Sequence, residues 1–149
     1  MALTANVGST LEMKFGTIQA YELGVGAIIY RGALVAIRLT TGKVHPAVRN
    51  ETDDLKQVFI GVALEAKTYV AAGDLVRVRL DGKLKCKWTG GPAIVGHLAC
   101  LFDDETVQPY LVTEGNVIVG RITEVLNSGT EVFVDLLDHP GRVATSEYN

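Results

Sequence analysis

The segment QVFIGVALEA, residues 57–66, returns as NVIVGRITEV at residues 116–125, and it does not return alone. GDLVRVRL (73–80) is answered by GTEVFVDL (129–136). GALVAIRLTTGKVHPAV (32–48) is answered by GHLACLFDDETVQPYL (96–111) once one gap is allowed. Gly32 and Gly96, Leu34 and Leu98, Pro46 and Pro109, Gly61 and Gly120, Glu65 and Glu124, Gly73 and Gly129 then coincide. The triplet Val76, Val78, Leu80 falls on Val132, Val134, Leu136. A repeat in this order dictates that whatever the first half builds, the second builds again. The apolar positions recur in phase at period two, which is the period of a strand with one buried face. The expectation is a duplicated β unit, with half-repeats over about 32–80 and 96–136, whose halves share one core.

The rest of the pattern agrees with that class. From Gly26 onward, apolar runs of four to eight residues recur every eight to twelve positions between Gly, Pro and Asp. That spacing predicts an all-β chain, an antiparallel β-barrel or sandwich with little helix. The helix candidates are NETDDLK (50–56) and GPAIVGHLA (91–99), each worth a turn or two. The polar, turn-rich residues 1–25 read as an N-terminal arm, 26–138 as a single β domain, and 139–149 as a C-terminal tail.

With 149 residues the chain can bury a core without staples. Fourteen basic and seventeen acidic residues give a formal charge of −3, which argues against a general nucleic-acid binder. Cys86 and Cys100 lie in apolar surroundings and read as reduced, buried thiols, with a disulfide open on count alone. MALTANVGSTLEMKFG has no basic region followed by an apolar stretch, so no signal peptide is expected. No apolar run is long enough for a bilayer-spanning helix. Asn50-Glu51-Thr52 matches a glycosylation sequon and is read as chance.

LVRVRLDGKLKCKW (75–88) carries the sharpest local signal. A two-residue Asp81-Gly82 turn would set Val78 opposite Lys85. A three-residue loop with Gly82 as a bulge pairs Val78 with Leu84 and Val76 with Cys86 instead, and turns Trp88 inward. The other face of this hairpin would then carry Arg77, Arg79, Lys83, Lys85 and Lys87. Five like charges repel, so the strip is either a solvated face shielded by its long stems or a docking surface for something acidic. Asp103, Asp104 and Glu105, of the other half or of a neighbouring subunit, or another protein, are the candidates.

Signatures of catalysis are missing. GVGAII (24–29) starts like a dinucleotide fingerprint but lacks its third glycine and a following helix. There is no GxxxxGK[ST], HExxH, CxxC or GxSxG motif. His45, His97 and His139 stand in unrelated contexts. Glu65 and Glu124, with His97 or Asp103, are the residues from which an unrecognised enzyme site would have to be assembled. The expectation is no enzyme, no cofactor and no metal.

IIYRGALVAI, KVHPA, FIGVALEA, AGDLVRVRL, CLFDDETV and IVGRITEV, in that order over residues 28 to 136, resemble a family of tailed-phage head proteins, the capsid decoration or cement proteins. Its motifs fall here on Tyr30 to Val35, Gly61 to Glu65, Gly73 to Arg79 and Asp103 to Val107. The resemblance implies a β-barrel or sandwich that forms a homotrimer on the outer surface of the virion capsid. There it would stabilise the shell by bridging major capsid protein subunits, after synthesis in a bacterial cytoplasm. It implies no membrane and no direct nucleic-acid contact. The terminal segments would suit arms that order against neighbours. The alternative is a β-barrel module that docks an acidic ligand or nucleic acid through residues 77–87.

Overall fold

The computed structural model describes residues 18–48, 57–110 and 117–136. Twelve strands occupy them. The first half holds β1 (Ile18–Glu22), β2 (Ile28–Ile29), β3 (Leu34–Arg38), β4 (Lys43–Pro46), β5 (Gln57–Ala63), β6 (Lys67–Thr68) and β7 (Leu75–Arg79). The second holds β8 (Gly82–Trp88), β9 (Leu98–Leu101), β10 (Thr106–Pro109), β11 (Ile118–Leu126) and β12 (Glu131–Leu136). The only helical turn among the described residues is a 3-10 turn at Asn127–Gly129. The chain is all-β.

The repeat is a repeat of topology. Of three sheets among the described residues, one has the order β1-β7-β5-β3-β4, a small one pairs β2 with β6, and the third runs β8-β12-β11-β9-β10 before closing on itself as a barrel. Its closure is the parallel pairing of β10 with β8, Thr106 with Lys87 and Val107 with Trp88. The first sheet stays an open barrel, its two edges joined only by an isolated parallel bridge, Leu23 to Val44. Gly24 N–H donates to the Val44 carbonyl at 2.9 Å, as Thr89 N–H does to Val107 at 3.0 Å.

Connections repeat as closely as strands. Gly32 N–H donates to Ala63 O and Gly96 N–H to Ile122 O, both at 2.8 Å. Ala63 N–H to Ala33 O is matched by Ile122 N–H to His97 O, both at 2.9 Å. Leu23 N–H reaches Asp74 O at 2.8 Å, and Trp88 N–H reaches Thr130 O at 2.9 Å. Backbone groups must be paired wherever water is excluded, so matching bonds mean matching backbone paths. β1 is therefore the counterpart of β8, β3 of β9, β4 of β10, β5 of β11 and β7 of β12.

Four expectations change. The halves begin earlier than 32 and 96, because each opens with a strand, β1 or β8, that shares no identities with its counterpart. Ile18–Glu22, expected in the N-terminal arm, is a strand hydrogen-bonded to β7. The 75–88 hairpin does not form: Val78 faces Gln19 and Val76 faces Tyr21, while Leu84 faces Val134 and Cys86 faces Val132. Only Leu80 and Asp81 separate β7 from β8. Gly82, at φ +95°, steers the chain out of one sheet into the other, and a Cβ there would collide with the Arg79 guanidinium. The candidate helix at 91–99 is a loop entering β9. Gly90 and Gly96 take φ +103° and +95°, and Pro92 lacks the N–H that a helix interior needs. The other candidate, 50–56, and the tail at 139–149 lie outside the described residues.

The core is divided. Val35, Val44, Ala63, Val76 and Val78 fill the first barrel. Leu34, Ala36, Ala47, Phe59 and Val62, on the outer side of the same sheet, join the cluster that fills the second barrel around Leu101, Val107, Val132 and Val134. LVAIR and QVFIGVA, buried on both faces along part of their length, make this possible, since successive side chains serve opposite faces. The halves are thus stacked: the second barrel's interior continues onto the wall of the first. At about 25 cal/mol per Å² of apolar surface, burying a side chain such as Phe59 stabilises the joint by roughly 1.5–3 kcal/mol.

Candidate functional site

The five cations of the expected strip are divided between the two barrels. Arg77 and Arg79 project from β7, and Lys83, Lys85 and Lys87 from β8; all are exposed. The acidic partner sought for them is largely the chain itself. Arg77 holds Glu65 through Nε at 3.3 Å and Nη2 at 3.2 Å, and its own N–H donates to Glu65 Oε1 at 3.3 Å. Lys87 Nζ lies 3.0 Å from Glu105, and Lys85 Nζ lies 3.9 Å from Glu131. In register, Lys83 faces Asp135, which faces Arg121 in turn. Opposite charges set across neighbouring strands stabilise a sheet, so the lysine stripe of β8 is relieved by the acidic positions of β12. Arg79 and Lys83 make no ion pair among the described residues.

The acidic turn is structural in the same sense. Asp103 Oδ1 accepts from the N–H groups of Glu105 at 2.9 Å and Thr106 at 2.7 Å, closing an Asx turn. The Asp104 carbonyl accepts the Leu34 N–H at 2.7 Å and so ties the second half to the first. Burial, then the charge of Asp103, raises the Asp104 carboxyl above its ordinary pKa.

Of the residues from which an enzyme site might be assembled, Glu65 is committed to Arg77. Burial acts to raise its pKa, but the Arg77 hydrogen bonds and the charges of Arg77 and Lys67 outweigh it and hold it low. Glu124 occupies the matching place in the other barrel, exposed and in register with Phe133. Among the described residues no group of three or more His, Cys, Asp and Glu is placed to hold a metal ion. Cys86 and Cys100 are both buried free thiols, and burial pushes each up to about 12. No helix among the described residues is long and apolar enough to cross a membrane.

A concavity that the sequence did not announce lies on the second barrel. The loop between β8 and β9 and the ends of β10 and β11 enclose a groove of about 470 Å³. Trp88, Ile94, His97, Pro109, Tyr110 and Arg121 are among its lining residues, and of Glu65, Glu124, His97 and Asp103 only His97 takes part. Trp88 Nε1 donates to Gly91 O at 2.7 Å, and Arg121 Nη1 donates to Gly96 O at 2.9 Å. Ile94, also lining the groove, remains 49% exposed. Nothing local could have revealed it: IVGHLAC reads as apolar strand or helix, and the groove is made by residues brought together through sheet pairing. No protein-family model matches this chain, and no curated protein matches it.

Proposed function

We propose that the protein is a capsid decoration, or cement, protein of a tailed-phage head, binding the outer surface as a trimer and bridging major capsid protein subunits. The observation that carries this reading is where the resembling motifs fall. Tyr30 to Val35 holds the turn that Gly32 closes on Ala63, and Gly73 to Arg79 supplies the strand that pairs with β1. Asp103 to Val107 forms the Asx turn and the closing parallel pair. The motifs describe a framework, as expected of a family whose contacts are broad surfaces. A doubled, stacked barrel suits the task. Packaged DNA pushes a shell outward, and a rigid bridge adds contacts that must be lost before subunits separate, multiplied over many symmetric copies. The 77–87 docking alternative has less support, since three of its five cations already pair with carboxylates and the strip is divided between two barrels.

The test is to add purified protein to heads that lack it. Saturable co-sedimentation, with a rise in the temperature at which heads release DNA, is expected. Binding to free DNA or acidic polymers in the absence of any shell, with no uptake by heads, would favour the alternative. The Lys83→Glu/Lys85→Glu protein should decorate heads as the unaltered chain does; a loss of uptake would return the strip to the interface.

A further inference from the structure

The two halves are joined head to tail, and each surface that makes that joint has a counterpart at an end of the doubled unit. In the first half, Leu34, Ala47 and Val62 are buried in the cluster shared with the second barrel, and Gly32 and Leu34 face Leu84, Cys86, Lys87 and Glu105 across a small cavity. By the strand and hydrogen-bond correspondence, the counterparts of Gly32, Leu34, Ala47 and Val62 are Gly96, Leu98, Tyr110 and Arg121. All four line the open groove of the second barrel. Gly96 and Arg121 are exposed there, while Leu98 is 8% exposed and packs with Cys100 and Ile118, and Tyr110 is half-buried against them.

The complementary surface has its counterpart at the other end. The β8 residues that receive the first half correspond to β1: Leu84 to Gln19, Cys86 to Tyr21, Lys87 to Glu22, since Val134 and Val132 pair with the former as Val78 and Val76 pair with the latter. Leu84 is half-buried against the cluster that the halves share, whereas Gln19 is exposed. Charge fits as well. Lys87 lines one cavity with Gly32, so its counterpart Glu22 would come near Gly96, whose carbonyl holds the Arg121 guanidinium.

We propose that the groove lined by Gly96, Leu98, Tyr110 and Arg121 receives the β1 side of a second copy of this chain, with Glu22 of that copy meeting Arg121. The contact repeats between chains the joint that unites the halves within one. Such a heterologous contact yields a closed ring when its rotation closes and a filament when it does not. Three chains closing this way would present six barrels in a ring; the number three rests on the decoration reading above, while the surface does not.

Light scattering of the purified chain tests it without any shell. The unaltered protein should have the mass of several chains, three on the decoration reading, and Arg121→Glu or Ile94→Lys should reduce it to the mass of one chain with an unchanged circular dichroism spectrum. Because Glu22 also pairs with Lys43, Glu22→Arg is read only alongside its thermal melt. Glu22→Arg combined with Arg121→Glu should restore the assembly. A monomeric unaltered protein, or an assembly untouched by both groove substitutions, overturns the proposal. Dissociation by the single changes without restoration by the pair overturns the copy as the occupant. An assembly that obeys these rules yet ignores heads would sink the decoration reading and leave this joint standing.

Discussion

Gly61 and Gly120 occupy one place in two barrels: a Cβ on the first would strike the Arg79 carbonyl, and a Cβ on the second the Asp135 carbonyl. In each barrel the irregular pairing with the neighbouring strand falls beside the glycine, between Val35 and Ala36 opposite Gly61 and between Ile118 and Gly120. The bulge brings two backbones closer than any side chain allows. Gly61→Ala and Gly120→Ala should each destabilise by at least about 1–3 kcal/mol in urea unfolding. Gly91→Ala, where a Cβ meets nothing within 4 Å, should stay within about 0.5 kcal/mol.

His45 is 9% exposed, and its ring lies against Gly24 so closely that a Cβ there would overlap it. Burial, and then the charge of Arg38, lowers its pKa below the ordinary 6.5. The unfolded chain therefore takes up a proton that the folded chain resists. Stability from the neutral ring is fully present above about pH 6.5 and is lost as pH falls towards the lowered folded value. The melting temperature should decline from pH 7 to 5, with a shallower slope in His45→Gln. Equal slopes would show that other groups carry the acid sensitivity.

Both thiols should be silent in the native protein. With Cys86 and Cys100 held near 12, almost no thiolate exists at neutral pH and no sulfur is accessible. An aromatic disulfide reagent should label neither cysteine in buffer and both in denaturant. Prompt native labelling would mean that the barrel opens around them.

The charged ladder of the second barrel should contribute little to stability. Lys87 and Glu105 are each 61% exposed, and such pairs contribute at most about 1 kcal/mol. Lys87→Ala and Glu105→Ala should each stay within that bound, with the effect shrinking further in 0.5 M salt. A larger, salt-insensitive loss at Glu105 would mean that the Asp103 turn had been disturbed.

The framework was legible wherever a residue's chemistry dictates backbone. Gly61, Gly120, Gly73, Gly129 and the two prolines marked equivalent bends, and the alternating valines marked inner faces, so the class and the duplication could be read. β1 and β8 could not be matched, because IQAYE and KLKCK fill corresponding places with unrelated side chains. The Asp81-Gly82 signal misled for a physical reason. A glycine at positive φ reports a turn in the chain, not which strand it meets next, and non-local pairing with β12 and β1 prevailed over the local hairpin. Paired charges and the groove depend on such non-local neighbours, and so lay beyond the sequence.

The two-residue spacing between the barrels also bears on how the protein is made. A nascent chain that has just produced Arg79 has all the strands of its first barrel, yet Leu34, Ala36, Phe59 and Val62 lie bare on that barrel's outer wall. Two residues span no more than about 7 Å, so the covering half emerges beside the patch it must seal. Synthesis halted there would leave a sticky fragment, and synthesis continued would hide it within the next few seconds of translation.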